Sequence, residues 1–157
     1  METNRMEYEI VTLEEKTAAG LTARTNNNAP DMGMIIGGLW GKFFNEGVYM
    51  GIDGKVNEKT LGIYSDYASD EHGDYNITVA CEVEAGIKVP EGTAIKKIPA
   101  GKYAKFVVEG NMEQAAGAFW SSLWAMDLNR SFICDFEEYQ NSDPEHAVIH
   151  MYISVTE

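Results

Sequence analysis

The chain has 157 residues, 45% apolar and 24% charged, enough for one domain with a sizeable core. Twelve Lys and Arg stand against 25 Asp and Glu, a formal charge of −13. That argues against direct contact with nucleic acid, whose phosphates need a basic face, and against attachment to anionic membranes. The same charge draws in cations over long range.

The first seven residues show no basic-then-apolar leader, and the longest nearly uncharged run, residues 32–41, is too short and too glycine-rich to span a bilayer. Cys81 and Cys134 lie far apart with no CxxC spacing. They read as reduced core residues, and the expected location is the cytoplasm.

Strands are expected at residues 8–14 and 17–25. A helix follows over about 31–45, where Met32, Ile35, Ile36, Leu39, Trp40, Phe43 and Phe44 recur at helical spacing. It also carries Gly33, Gly37, Gly38 and Gly41, each costing about 1 kcal/mol against Ala, which suggests a backbone or ligand in close approach. Strands come next at 60–67 and 75–83, then at 94–98 and 102–108. A second helix covers about 112–128, with Asn111 as N-cap, Gln114 as capping-box partner, and a stripe that includes Phe119, Trp120, Leu123, Trp124 and Met126. Strands at 131–140 and 147–155 end the chain.

This order is β-β-α-β-β written twice, an α+β protein rather than α/β. Ile10 lines up with Ile95, Trp40 with Trp120, Tyr64 with Tyr139 and Val79 with Met151. Two repeats of about 7–84 and 93–156, related by a pseudo-twofold axis, would join into one antiparallel sheet. Both helices would lie on one face, with a groove between them, a favoured place for a ligand.

The segment from Cys134 to Tyr139 puts three carboxylates and two aromatics into a strand otherwise fit for a core. Alternation sends Asp135, Glu137 and Tyr139 to one face and Cys134, Phe136 and Glu138 to the other. A carboxylate held among aromatic rings has its pKa raised by desolvation, and a cationic ligand reverses that penalty, with cation–π attraction added. The same acid could serve as a general acid or base, and an edge strand with solvated acids fits the pattern too. The aromatics Trp40, Phe43, Phe44, Tyr64, Tyr103, Phe119, Trp120, Trp124, Phe136 and Tyr139 divide between core and groove. His72, His146 and His150 make no metal-ligand spacing with the cysteines, and Asp66, Asp70, Glu71 and Asp74 read as a solvated hairpin tip. No phosphate-cradling loop and no nucleophile elbow is present, and no cofactor or metal is expected.

The run Leu61-Gly62-Ile63-Tyr64-Ser65-Asp66-Tyr67, then Gly73-Asp74-Tyr75 leading to Cys81-Glu82-Val83, resembles the first half of the GyrI-like domain, also called the AraC-type bacterial effector-binding domain, of the SOUL/GyrI-like fold. Ile98-Pro99-Ala100-Gly101-Lys102-Tyr103-Ala104, the pair Trp120 and Trp124, and Asp135-Phe136-Glu137-Glu138-Tyr139 resemble its second half. The resemblance implies a single domain that binds small lipophilic, cationic molecules, standing alone without a DNA-binding domain. Glu137 would lie in the pocket, or Glu138 if the register slips by one. Trp40, Tyr64, Phe119, Trp120, Tyr139 and Tyr103 are the expected ligand-binding residues. Some family members are hydrolases of cyclopropane-bearing compounds, in which Glu137 would be the general base. Others are interaction proteins, with gyrase or a separate regulator as the partner.

Overall fold

The computed structural model describes residues 8–26, 32–52, 54–68, 73–89, 92–124, 130–141, 143 and 145–156. The strands are β1 (Glu9–Leu13), β2 (Lys16–Thr25), β3 (Lys55–Ser65), β4 (Tyr75–Val83), β5 (Ala94–Ile98), β6 (Gly101–Gly110), β7 (Cys134–Tyr139) and β8 (Ala147–Ser154). The helices are α1 (Met32–Asn45), the single turn α2 (Val48–Gly51) and α3 (Met112–Trp124). All eight strands form one antiparallel sheet in the order β1-β6-β8-β7-β3-β4-β2-β5, and the protein is α+β.

Exchanging β1–β4 for β5–β8 leaves this order unchanged when it is read from the other end. The registers obey the same exchange. Leu21 faces Val79 where Phe106 faces Met151, and Ile10 faces Ala104 where Ala19 faces Ile95. β3 and β7 meet at the centre, with Gly62 opposite Glu137.

The short connections force the sheet to curl. Six strand spacings separate β1 from β2 in the sheet order, about 29 Å if the sheet were flat. Only two residues join Leu13 to Lys16, a reach of at most about 11 Å, and only two join Ile98 to Gly101 across an equal gap. The ends of the sheet therefore fold toward each other. A core of Ala18, Leu61, Ile63, Ala80, Ile98, Tyr103, Cys134, Phe136 and Tyr152 fills the face inside the curl.

The other face carries the helices. Phe43 of α1 buries against Ala19, Val79, Cys81 and Val83, with Leu39 and Trp40 beside it. Phe119 and Leu123 of α3 bury against Ala104, Phe106, Ile149, Met151 and Ile153. Asn111 caps α3, its Oδ1 accepting from the Gln114 N–H at 3.2 Å. α1 packs on β2 and β4 and α3 on β6, so the central pair β3–β7 lies in the groove between them.

Several sequence expectations are corrected. α2 was not foreseen: Gly47, at φ 78°, turns the chain out of α1, and Lys55 Nζ donates to the Tyr49 and Ile52 carbonyls at 3.1 and 2.6 Å, holding the end of that turn. β3 begins at Lys55 rather than residue 60, because an irregularity between Lys55 and Thr60 hides its alternation. No backbone approaches Gly37 or Gly38 of α1, where an added Cβ would meet nothing within 4 Å. β7 is a central strand, not an edge, and Asp135, Glu137 and Glu138 are buried in it. Asp31, Asp70, Glu71, His72 and the expected end of the second helix at 125–128, with Met126, lie outside the described residues, as does the side chain of Trp124. Both cysteines are buried and free. No helix among the described residues is long and apolar enough to cross a membrane.

Candidate functional site

Strand alternation lifts Asp135, Glu137 and Tyr139 of β7 onto the helix-bearing face, beside Gly62 and Tyr64 of β3. Glu137 is 4% exposed. Its Oε1 accepts from the Tyr139 hydroxyl at 2.6 Å. Its Oε2 accepts from the indole N–H of Trp120 at 2.8 Å and from the Tyr64 hydroxyl at 3.1 Å. Each half of the protein thus supplies one tyrosine, and each tyrosine holds one oxygen.

The aromatic rings close around this carboxylate. Trp40 meets Tyr139 edge to face at 5.5 Å and stacks on the half-exposed Phe44 at 5.9 Å. Trp120 meets Tyr64 at 5.1 Å, and Tyr64 meets Tyr75 at 5.5 Å. A Cβ on Gly62 would lie 2.9 Å from Glu137 Oε1 and 3.6 Å from Trp40 Cζ2, so glycine leaves the space the carboxylate occupies.

Burial pushes the Glu137 carboxyl above its ordinary pKa, against the pull of its three donors. Burial and the neighbouring Glu137 also raise Tyr64 and Tyr139, and carry Tyr75 to about 12. The hydroxyls therefore remain donors at neutral pH. Glu137 makes no ion pair among the described residues.

Two residues away, Asp135 is fully buried. Its Oδ2 accepts from Arg130 Nη2 at 2.7 Å and from the Tyr67 hydroxyl at 2.5 Å. Its Oδ1 accepts from the Ser154 N–H at 2.8 Å and the Ser154 hydroxyl at 3.1 Å. The Arg130 guanidinium also lies 4.2 Å over the Phe132 ring, and its Nε has no partner among the described residues.

Of the residues singled out in the sequence, Glu137, Tyr139, Trp120, Tyr64 and Trp40 converge. Phe119 does not: it is buried behind Trp120, against Phe106 at 5.1 Å. Tyr103 lies on the opposite face, packed on Phe136, its hydroxyl donating to the Pro99 carbonyl at 2.7 Å. Glu138 also turns to that face, accepting from Gln140 Nε2 at 2.9 Å and lying 4.0 Å from His150 Nδ1. Gly62 and Tyr75, beside the Glu137 cluster, were missed, as was the Arg130 partner of Asp135. A glycine inside a strand pattern was the available signal for Gly62. Among the described residues no cluster of His, Cys, Asp and Glu could hold a metal.

A symmetric eight-stranded sheet with two helices flanking its central strands is the architecture of a GyrI-like effector-binding domain. Residues 9–155 match the family described as Cass2, integron-associated effector binding protein. The chain belongs to that family. An integron cassette protein from the mobile metagenome of Vibrio cholerae is 26% identical, with a TM-score of 0.71 over 93% of this chain and 95% of that one. The protein SAV2435, solved with tetraphenylphosphonium bound, is 17% identical and shares the fold at a TM-score of 0.76, over 96% of this chain and 94% of its own. EcmrR, solved in complex with DNA, shares the fold at a TM-score of 0.55 with 15% identity, over 96% of this chain and 58% of its own. No curated protein matches the sequence.

Proposed function

We propose that the protein binds a small lipophilic cation in the groove between α1 and α3, with Glu137 as its counter-charge. One observation carries this reading: a buried carboxylate held by three neutral aromatic donors, with no cation paired to it among the described residues. A buried charge without a partner is costly, and an arriving cation removes that cost. The ring faces of Trp40 and Tyr139 add cation–π attraction. The SAV2435 complex, with its bound cation on the same fold, supports the ligand class. We read the whole chain as one such domain in two repeats, about 7–84 and 93–156, on the strength of the matched registers. We place it in the cytoplasm, in keeping with two buried, free cysteines.

The test is titration with tetraphenylphosphonium, followed by tryptophan fluorescence. Glu137→Gln, with the fold intact by circular dichroism, should weaken binding by about tenfold or more, because one charge is lost and little shape changes. Wild-type affinity should rise with pH through the raised pKa of Glu137 and then level off, since the proton and the cation compete for one carboxylate. Equal affinity in wild type and variant would defeat the assignment.

A further inference from the structure

The symmetry of the sheet assigns a role to a residue that has no side chain. In the β3–β7 ladder Thr60 faces Tyr139, Gly62 faces Glu137 and Tyr64 faces Asp135. The equivalence that carries Tyr64 onto Tyr139 also carries Gly62 onto Glu137. That pair alone in the ladder maps onto itself, so the pseudo-twofold axis passes through it. The two halves thus hold the same place with unlike residues, one absent and one charged.

We infer that Gly62 is a positioning residue for ligand binding: it lets the Glu137 carboxylate fold back across the axis, where both halves can hold it. The inference rests on reading Glu137 as the counter-charge for a cation. Directly opposed residues on antiparallel strands have Cβ atoms about 4.5–5.5 Å apart, so a long side chain either rises into the groove or lies over its neighbour. Glu137 lies over its neighbour, its Oε1 only 2.9 Å from where a Cβ of residue 62 would be. That places Oε1 within reach of Tyr139 and Oε2 within reach of Tyr64 and Trp120. The same empty volume faces Trp40 Cζ2 at 3.6 Å, and the indole of the first half thereby approaches the carboxylate from the second. An alanine at 62 would push Oε1 off its bond to Tyr139, drive a wedge between the acid and Trp40, and move the charge toward α3. The cation would then meet one aromatic wall at a time instead of both.

A double-mutant cycle tests this, read as tetraphenylphosphonium affinity by tryptophan fluorescence in wild type, Gly62→Ala, Glu137→Gln and the double variant. Gly62→Ala should weaken binding by about tenfold in the wild-type background and by less than about twofold in the Glu137→Gln background, because it acts through the charge. The same loss in both backgrounds, or none in the first, overturns the inference. Unchanged affinity in Glu137→Gln alone defeats instead the reading of the site on which it rests. Should Gly62→Ala fail to fold, the pair Gly62→Ala with Glu137→Asp decides. The shorter acid withdraws from the new Cβ and should restore folding, and failure of the pair places the clash elsewhere and overturns the inference.

Discussion

Asp135 and Glu137 stand two residues apart on one strand, on one face, and both are buried. The fold treats them in opposite ways. Asp135 receives a guanidinium, a tyrosine hydroxyl and two donors from Ser154, and every bond draws structure together: the segment leading into β7, the segment just after β3 and the C-terminal end of β8. Glu137 receives only neutral donors from three aromatic side chains, in a groove lined by half-buried rings. Burial alone therefore does not mark a ligand site. On our proposal the mark is burial of a charge with no paired cation among the described residues, and that contrast would separate a structural acid from a receptive one.

The largest effect should come from unbalancing the structural acid. Arg130→Met leaves the Asp135 carboxylate buried without its cation and should cost about 3–5 kcal/mol of stability, measured by urea denaturation. Removing the charge at Glu137 with an isosteric Gln should cost less than about 1 kcal/mol, since no buried cation is left behind. Equal losses at the two positions would erase the distinction between them. Glu137→Ala falls between: it strips the acceptor from Trp120, Tyr64 and Tyr139, and should cost about 1–3 kcal/mol in the same assay. A loss as large as that of Arg130→Met would mean that Glu137 too is mainly structural.

Much of this was legible in the sequence, and the limits have physical causes. Both helical stripes and the alternation of β4 and β8 are strong periodic signals, and the order of elements follows from them. Alternation puts Glu137 and Tyr139 on one face of β7, but it does not say which face meets the helices, and only the family resemblance favours Glu137 over Glu138; Trp40 and Trp120 come from equivalent places in two helices. Tyr103 was misplaced because alternation assigns a face only when the partner strands are known, and β6 turns Ala104 and Phe106, not Tyr103, toward α3. Phe119 was misassigned because a helix stripe is wide enough for one residue to line a groove while the adjacent one is core. Arg130 carries no periodic signature at all. It precedes β7 in an irregular segment, and its pairing with Asp135 is a tertiary contact.

The finest difference between the two regions is their response to pH. The folded-state pKa of Glu137 is raised by burial above its unfolded value of about 4.3. Between those two values the folded protein binds more protons than the unfolded chain, so the slope of unfolding free energy against pH is negative. The protonated Glu137 thus contributes stability that is complete below about pH 4.3 and is lost as pH rises through the raised value. Gln cannot ionise. The Glu137→Gln variant should therefore lack this loss, and its melting temperature relative to wild type should climb across the same interval and level off above it. Saturating tetraphenylphosphonium should do for wild type what Gln does for the variant, because the cation stabilises the ionised form and cancels the decline. A wild-type curve parallel to that of the variant, with and without the cation, would mean that the carboxylate is already compensated, and Glu137 would join Asp135 as part of the scaffold.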